Sequence, residues 1–286
     1  MKVHHLRNAT TILHVGPHVL LVDPMLAEVG TLPGFKQFGP GARTRRNPLV
    51  PLPPGSAEAL DAVTAVLVTH EHPDHFDQAA IDWIAARKLP VWASELDAAS
   101  LRRKGLDVHV LRDGALGMRV EIVPAKHGRG PIAWLMGPVS GCYLAHPSEP
   151  SVLLTSDAVT SDALVEALDR LAPELVIAPA GAANFGIGPD ILFSVDELVA
   201  LIRRCDATFV LDHLEAIDHC PTRRAALRRR LVDEGLAARV HVPDDGECIE
   251  LHARGRVAVE PRPLALRPGV QKWLTAKLAG TRPAAG

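Results

Sequence analysis

The stretch "LVTHEHPDHFD", residues 67–77, sets His70, His72, Asp74 and His75 directly behind an apolar run. Imidazoles and a carboxylate crowded at one spot are poor core material, because a buried polar group is costly without a partner. They are good ligands for a divalent metal. The preceding "AVTAVLVTH" is continuously apolar and reads as a strand buried on both faces. The following "FDQAAIDWIAARK" has Ile81, Ile84 and Ala85 at helical spacing. The cluster therefore lies where a buried strand hands over to a helix, and a strand end holds ligands more precisely than a free loop. His70 and His72 are two residues apart and can turn toward one ion, with Asp74 and His75 facing a second. Four adjacent residues do not fill two coordination shells, so the remaining ligands must come from elsewhere.

Candidates stand at other strand ends: His127 closes "VEIVPAKH", Asp157 closes "SVLLTSD" and His213 closes "TFVLDH". A lone histidine or aspartate at such a place is usually structural, but three of them beside the cluster change that balance. The set divides into His70, His72 and His127 as a three-nitrogen site and Asp74, His75 and His213 as a mixed site, with Asp157 between them. Nitrogen and carboxylate ligands without thiolate suit Zn²⁺ first, with Mn²⁺ or Fe²⁺ as alternatives. Two bridged ions stand about 3.5–4 Å apart, and a water shared between them is acidic enough to act as hydroxide near neutral pH.

Working outward, "TTILHVG" and "HVLLVDP" read as strands split by a Gly16-Pro17 turn. "LPVWAS" reads as a strand and "SELDAASLRRKG" as a helix stopped by Gly105. A β-rich middle follows: "DVHVL", "MRVEIVPAKH", "IAWLMG", "GCYLAH" and "SVLLTSD". Then helices in "SDALVEALDRLAP", "SVDELVALIRRC" and "PTRRAALRRRLVDEG" alternate with strands in "ELVIAPAG" and "ATFVLDH". Pro221 is expected at the start of the last helix, and "GECIELHARGRVAVE" is expected as a late hairpin. This is one domain over 1–280 with a tail at 281–286. Residues 25–56 have no period and are dense in Pro and Gly, which marks a long loop or lid. Its Arg45 and Arg46 are either contacts for an anionic substrate group or solvated surface charges.

The bulk numbers exclude several classes. With 31 basic and 33 acidic residues the net charge is −2, so no basic excess favours nucleic acid. No window reaches about 18 uninterrupted apolar residues, so no membrane span is expected. Cys142, Cys205, Cys220 and Cys248 form no C-x-x-C pair. They read as reduced thiols of a cytoplasmic protein.

The order and strand-end placement of "LLVDP", "THEHPDH", "KHG", "SD" and the terminal "DH" resemble the metallo-β-lactamase-fold superfamily over nearly the whole chain. The resemblance implies an α/β fold, an αββα four-layer sandwich with the metals at one edge between the sheets. It places Asp23 of "LLVDP" where a carboxylate orients a ligand histidine; the other reading is a turn aspartate before Pro24. Secreted antibiotic-degrading relatives carry Cys where this chain has Asp157, and flavodiiron oxygen reductases carry Glu where it has His72. What remains resembles the broad zinc-dependent hydrolase group, which includes sugar-phosphate lactonases. The implied activity is dinuclear metal-dependent hydrolysis, by a metal-bridging hydroxide, of a small ester, lactone or phosphoester. Its alternatives are a phosphodiesterase acting on a phospholipid or cyclic nucleotide, and a non-catalytic metal-stabilised binding or sensing module. Asp74 would handle the proton. In "DHLEAIDHCP", His213 is preferred as the last ligand because it ends the strand, leaving His219 as general acid or substrate contact. Asn184 and Phe185 of "GAANFG" would stand at the pocket mouth. The partner is a small molecule, an anionic one included, and a homo-oligomer stays open.

Overall fold

The computed structural model describes residues 1–39 and 42–252. Strands β1 (Lys2–Arg7), β2 (Thr10–Val15) and β3 (His18–Val22) form an antiparallel meander. Helix α1 (Ser56–Asp61) leads into β4 (Ala65–Val68), α2 (Gln78–Arg87), β5 (Val91–Ala93), α3 (Glu95–Arg103) and β6 (Val108–Val110), whose strands continue parallel from β3. The second half repeats the plan. Strands β7 (Arg119–Ala125), β8 (Val139–Ala145) and β9 (Val152–Leu154) are antiparallel, with helix α4 (Pro131–Met136) between β7 and β8. Then α5 (Asp162–Leu171), β10 (Leu175–Pro179), α6 (Val195–Arg204), β11 (Thr208–Asp212), α7 (Arg224–Asp233) and β12 (Val240–His241) add parallel strands. Strand β13 (Cys248–Glu250) returns to pair with β1. The sheet orders are β13-β1-β2-β3-β4-β5-β6 and β12-β11-β10-β9-β8-β7.

The continuous apolar runs follow from burial on both faces. In β4, Ala65 and Leu67 point between the sheets, while Val66 and Val68 pack under the outer helices. In β10, Leu175 and Ile177 meet the facing sheet, while Val176 and Ala178 meet the helices of the second half. Three apolar layers result: one between the sheets, one beneath α1, α2 and α3, and one beneath α5, α6 and α7. This is the four-layer αββα sandwich. Helix starts are written locally, since the Asp77 side chain accepts from the Ala80 amide at α2 and Ser194 with Glu197 forms a capping box at α6.

Four details differ from the sequence expectation. "IAWLMG" is not a strand: Pro131 opens a short helix that Gly137 ends, and none of its residues is buried. A strand needs a ladder partner and a buried face; this segment has no ladder partner, and only Ile132 and Met136 pack, partly buried, against a neighbouring apolar cluster. Strand β1 was not expected, because Lys2, His4 and His5 interrupt its apolar pattern. Helix α7 starts at Arg224, not at Pro221. Of the expected late hairpin, Cys248–Glu250 forms a strand that pairs with β1, and residues 253–260 lie outside the described residues, as does the 281–286 tail.

Among the described residues of 25–55 there is no helix or strand, only a bridge between Leu32 and Asn47. The segment is nevertheless tied down. The buried Arg7 guanidinium donates to the carbonyls of Met25 (2.6 Å), Ala27 (3.0 Å) and Val50 (2.8 Å). The Asp218 carboxylate accepts from the amides of Phe35 and Arg45 and from the Asn47 side chain. No helix among the described residues is long and apolar enough to cross a membrane.

Candidate metal centre

The strand ends bring together what the sequence scatters. His70 and His75 follow β4, His127 follows β7, Asp157 follows β9 and His213 follows β11, all at carboxyl ends of strands, where α/β sheets place ligands. One donor atom from each of His70, His72 and His127 falls within a 4.8 Å cluster, and so does one from each of Asp74, His75, Asp157 and His213. These are the two groups expected from spacing. Asp157 stands between them. Its Oδ1 lies 3.2 Å from His75 Nε2 and 3.6 Å from His213 Nε2, and its Oδ2 lies 3.4 Å from His127 Nε2 and 4.0 Å from His70 Nε2.

The far side of each imidazole is held in place. Asp23 Oδ2 accepts from His75 Nδ1 at 3.0 Å and from the Thr69 hydroxyl at 2.7 Å, while Asp23 Oδ1 takes the Thr69 amide. Thr69 Oγ1 in turn lies 3.0 Å from His70 Nδ1, so one carboxylate orients His75 directly and His70 through a hydroxyl. His127 Nδ1 faces the Ile191 carbonyl at 3.0 Å, and His213 Nδ1 faces Cys220 Sγ at 3.3 Å. His72 Nε2 meets the Met136 carbonyl at 3.1 Å, which leaves its Nδ1 for the cluster. Asn8, in the β1–β2 turn, donates its side-chain amide to the Asp74 carbonyl and accepts the His213 amide. Asp23, Ser156 and His213 hold positive φ of 45°, 56° and 57°. Such conformations persist in non-glycine residues where surrounding contacts over-determine them.

The donor set fits a divalent cation better than it fits itself. His75 Nε2 and His213 Nε2 point at each other across 3.1 Å. His70 Nε2 and Asp157 Oδ1 are buried without a hydrogen-bond partner. Orphaned buried polar atoms are rare and call for an explanation. The charge states agree. Burial alone would raise the Asp157 and Asp74 carboxyls, but the neighbouring imidazoles outweigh it and hold both below the carboxylate range. Burial alone would lower His75 and His213, yet Asp157 together with Asp23 and Asp74 at His75, and with Cys220 and Asp74 at His213, outweighs it and raises both. Without a cation, these groups must share protons to stay buried.

His219 lies at the cluster's edge. Its ring sits 4.0 Å from that of Phe35, 6.3 Å from that of Phe185 and 6.4 Å from that of His213. Its Nδ1 is buried without a partner, and burial pushes it down to about 4, so it is neutral near pH 7. The Asn184 side chain bonds within its own loop, to the Ala182 carbonyl, Asp190 and the Gly186 amide. The Arg46 guanidinium donates to the carbonyls of Gly30 and Thr31, and Arg45 is exposed. Among the described residues no hydrogen bond or ion pair joins either guanidinium to the cluster. Sequence reasoning passed over Asn8, Thr69, Ser156 and Cys220, which carry no motif of their own. It also passed over Asp212, a buried carboxyl raised by burial to about 6.

A family model described as the beta-lactamase superfamily domain matches residues 18–214. YddR of Bacillus subtilis (strain 168) is 32% identical over 252 residues, which cover 86% of this chain and 98% of that protein. Among solved structures, the isothiocyanate hydrolase from Delia radicum gut bacteria is similar with a TM-score of 0.80 at 32% identity, covering 88% of this chain and 100% of that one. A "possible metal-dependent hydrolase" from Veillonella parvula DSM 2008 is similar with a TM-score of 0.81 at 30% identity, covering 88% and 99%. With the matched model, the two-sheet sandwich and a histidine–aspartate cluster compatible with divalent metals, this chain belongs to the metallo-β-lactamase-fold superfamily and is a metal-dependent hydrolase.

Proposed function

We propose that the chain is a dinuclear hydrolase of a small, water-reactive electrophile. His70, His72 and His127 would hold one divalent ion and Asp74, His75 and His213 the other, with Asp157 placed to serve both groups. The observation that carries this reading is the Asp157 carboxylate, whose two oxygens each face a different pair of imidazole nitrogens. Zn²⁺ suits the nitrogen-rich set best. Bound there, the pair of ions supplies an acidified water and polarises the electrophile's oxygen or sulfur.

The chain's own residues do the rest. Asp23 fixes the His75 tautomer so that Nε2 keeps its lone pair. Asp74 Oδ2 lies 3.2 Å from His213 Nε2, and the other Asp74 oxygen would accept the proton released in attack. His219, neutral and clamped by Phe35, donates a hydrogen bond to the substrate or its leaving atom. The phenylalanines beside it exclude water. The likeness to an isothiocyanate hydrolase adds a heterocumulene carbon to ester and lactone carbonyls as candidate electrophiles.

The test joins metal content to activity. Elemental analysis of purified protein should find two equivalents of metal, and Asp157→Ala or paired His70→Ala and His72→Ala should lose metal and turnover together. Stoichiometric metal retained by the paired variant would sink the assignment. A metal-replete screen of alkyl isothiocyanates, esters, lactones and bis(p-nitrophenyl) phosphate names the reaction. Turnover of the phosphodiester alone would replace the carbonyl reading.

A further inference from the structure

Of the seven clustered donors, six are buried and His72 alone is partly exposed, so the centre is approached from the His72 side. That side is bounded by α4, whose Met136 carbonyl bonds His72, and by the loop whose Ile191 carbonyl bonds His127. Between these walls runs a groove of about 570 Å³ lined by Phe38, Pro131, Ile132, Phe185, Ile187 and Pro189. It begins two residues beyond His127, and a Cβ on Gly128 would sit 3.0 Å from Ile132, so groove and centre share a backbone. The one charged residue in its lining, Arg129, is paired with Glu197. Phe38 is latched across the top: its amide donates to the Phe185 carbonyl at 2.8 Å, and only a glycine at 186 lets its own carbonyl pack so close.

We infer that this groove binds the organic group of the substrate and that the substrate carries an uncharged, apolar tail. The inference rests on the hydrolase reading above and narrows it. A volume in the range of small-molecule pockets, about 300–1,000 Å³, a lining in which Arg129 is paired, and walls on the same two segments whose Met136 and Ile191 carbonyls bond metal-site histidines fit a substrate tail. An anionic group entering there would lose its hydration without gaining a counter-charge. On this proposal the tail is recognised through Phe38, Ile132 and Ile187, and Arg45 and Arg46 take the second of their two readings, solvated surface charges.

The experiment uses two homologous series on the metal-loaded protein: methyl to hexyl isothiocyanates and p-nitrophenyl acetate to octanoate. Each added methylene should raise kcat/KM about three- to fourfold until the groove is filled, the value for burying one CH₂. A terminal carboxylate on the tail should cancel the gain. Ile187→Asp, at a position 60% exposed and so without cost to folding, should flatten the dependence, whereas Leu96→Asp, exposed on α3, should not. Binding of hexylurea against methylurea, measured by calorimetry, reads the groove without turnover. If neither series turns over, the hydrolase reading of these electrophiles fails while the urea pair still decides the groove. Equal binding of the two ureas, or a tail dependence unchanged by Ile187→Asp, overturns the inference. So does a dimer that Ile187→Asp dissociates without altering the dependence, since the groove would then join two copies of the chain.

Discussion

The floor of the site and its mouth are built in opposite ways. On the floor, His70, Asp74, His75, His127, Asp157 and His213 are buried, and the second nitrogen of each of these histidines has a defined neighbour, in Thr69, Asp23, Ile191 or Cys220. At the mouth, Trp134 is 86% exposed, Leu135 68% and Ile187 60%, and the walls are loops and one short helix. Strand ends fix the floor because β4, β9 and β11 are each pinned by neighbours on two sides, and β7, at the sheet edge, by β8 along seven paired residues. The mouth is held by polar tethers, Arg7 and Asp218 among them, and by a small apolar cluster around Met25, Ile191 and Leu192. A fold that separates these jobs can keep one chemistry and change what it acts on, because altering the mouth leaves the floor's support intact.

Four substitutions sharpen or break this contrast. The largest effect should come from beneath the floor. Leu67→Ala in β4, buried between the sheets, should cost about 2–5 kcal/mol of stability in chemical denaturation. A smaller loss would mean that the layer between the sheets yields more than its packing suggests. Next is the orienting carboxylate. Asp23→Ala should weaken metal affinity about 10–100-fold in competition with a chelator, while leaving the seven donors in place. Unchanged affinity would remove Asp23 from the site.

Below that is the support of the mouth. Burial alone would raise Glu197, but its ion pair with Arg129 and the amides of Ser194 and Thr160 outweigh it and leave the carboxyl lowered. A lowered carboxylate stabilises the fold above its ordinary value of 4.5 and loses that contribution as pH falls through its folded value. Glu197→Gln should therefore cost up to about 1 kcal/mol at pH 7, with the gap to the parent closing below pH 4.5. A gap that persists in acid would trace the effect to packing instead. The smallest effect belongs to the surface: Trp134→Ser should change stability by less than about 0.5 kcal/mol. A larger loss in thermal denaturation would show that α4 is structural after all.

Much of the floor was legible in advance. The run at 67–77 is dense enough in imidazole and carboxylate to exclude a core role, and His127, Asp157 and His213 each end a recognisable apolar strand. The sandwich was legible for the same reason, since strands buried on both faces leave unbroken apolar runs. The supporting groups were not. Thr69, Asn8 and Ser156 are ordinary turn residues until a strand from elsewhere delivers their partners. The helix at Pro131–Met136 was misread because its six apolar residues lack the burial that makes such a run a strand.

The local order of residues by itself determined which side chains are chemically able to hold a metal and which segments must be buried, because ligand chemistry and apolar periodicity are properties of short stretches. Only the tertiary structure decided that Asp157 stands between two sets of imidazoles, that Asp23 serves two histidines, and that an apolar groove begins two residues beyond His127. Those facts depend on distances between residues far apart in the chain, which the packing of two sheets sets and no short stretch encodes.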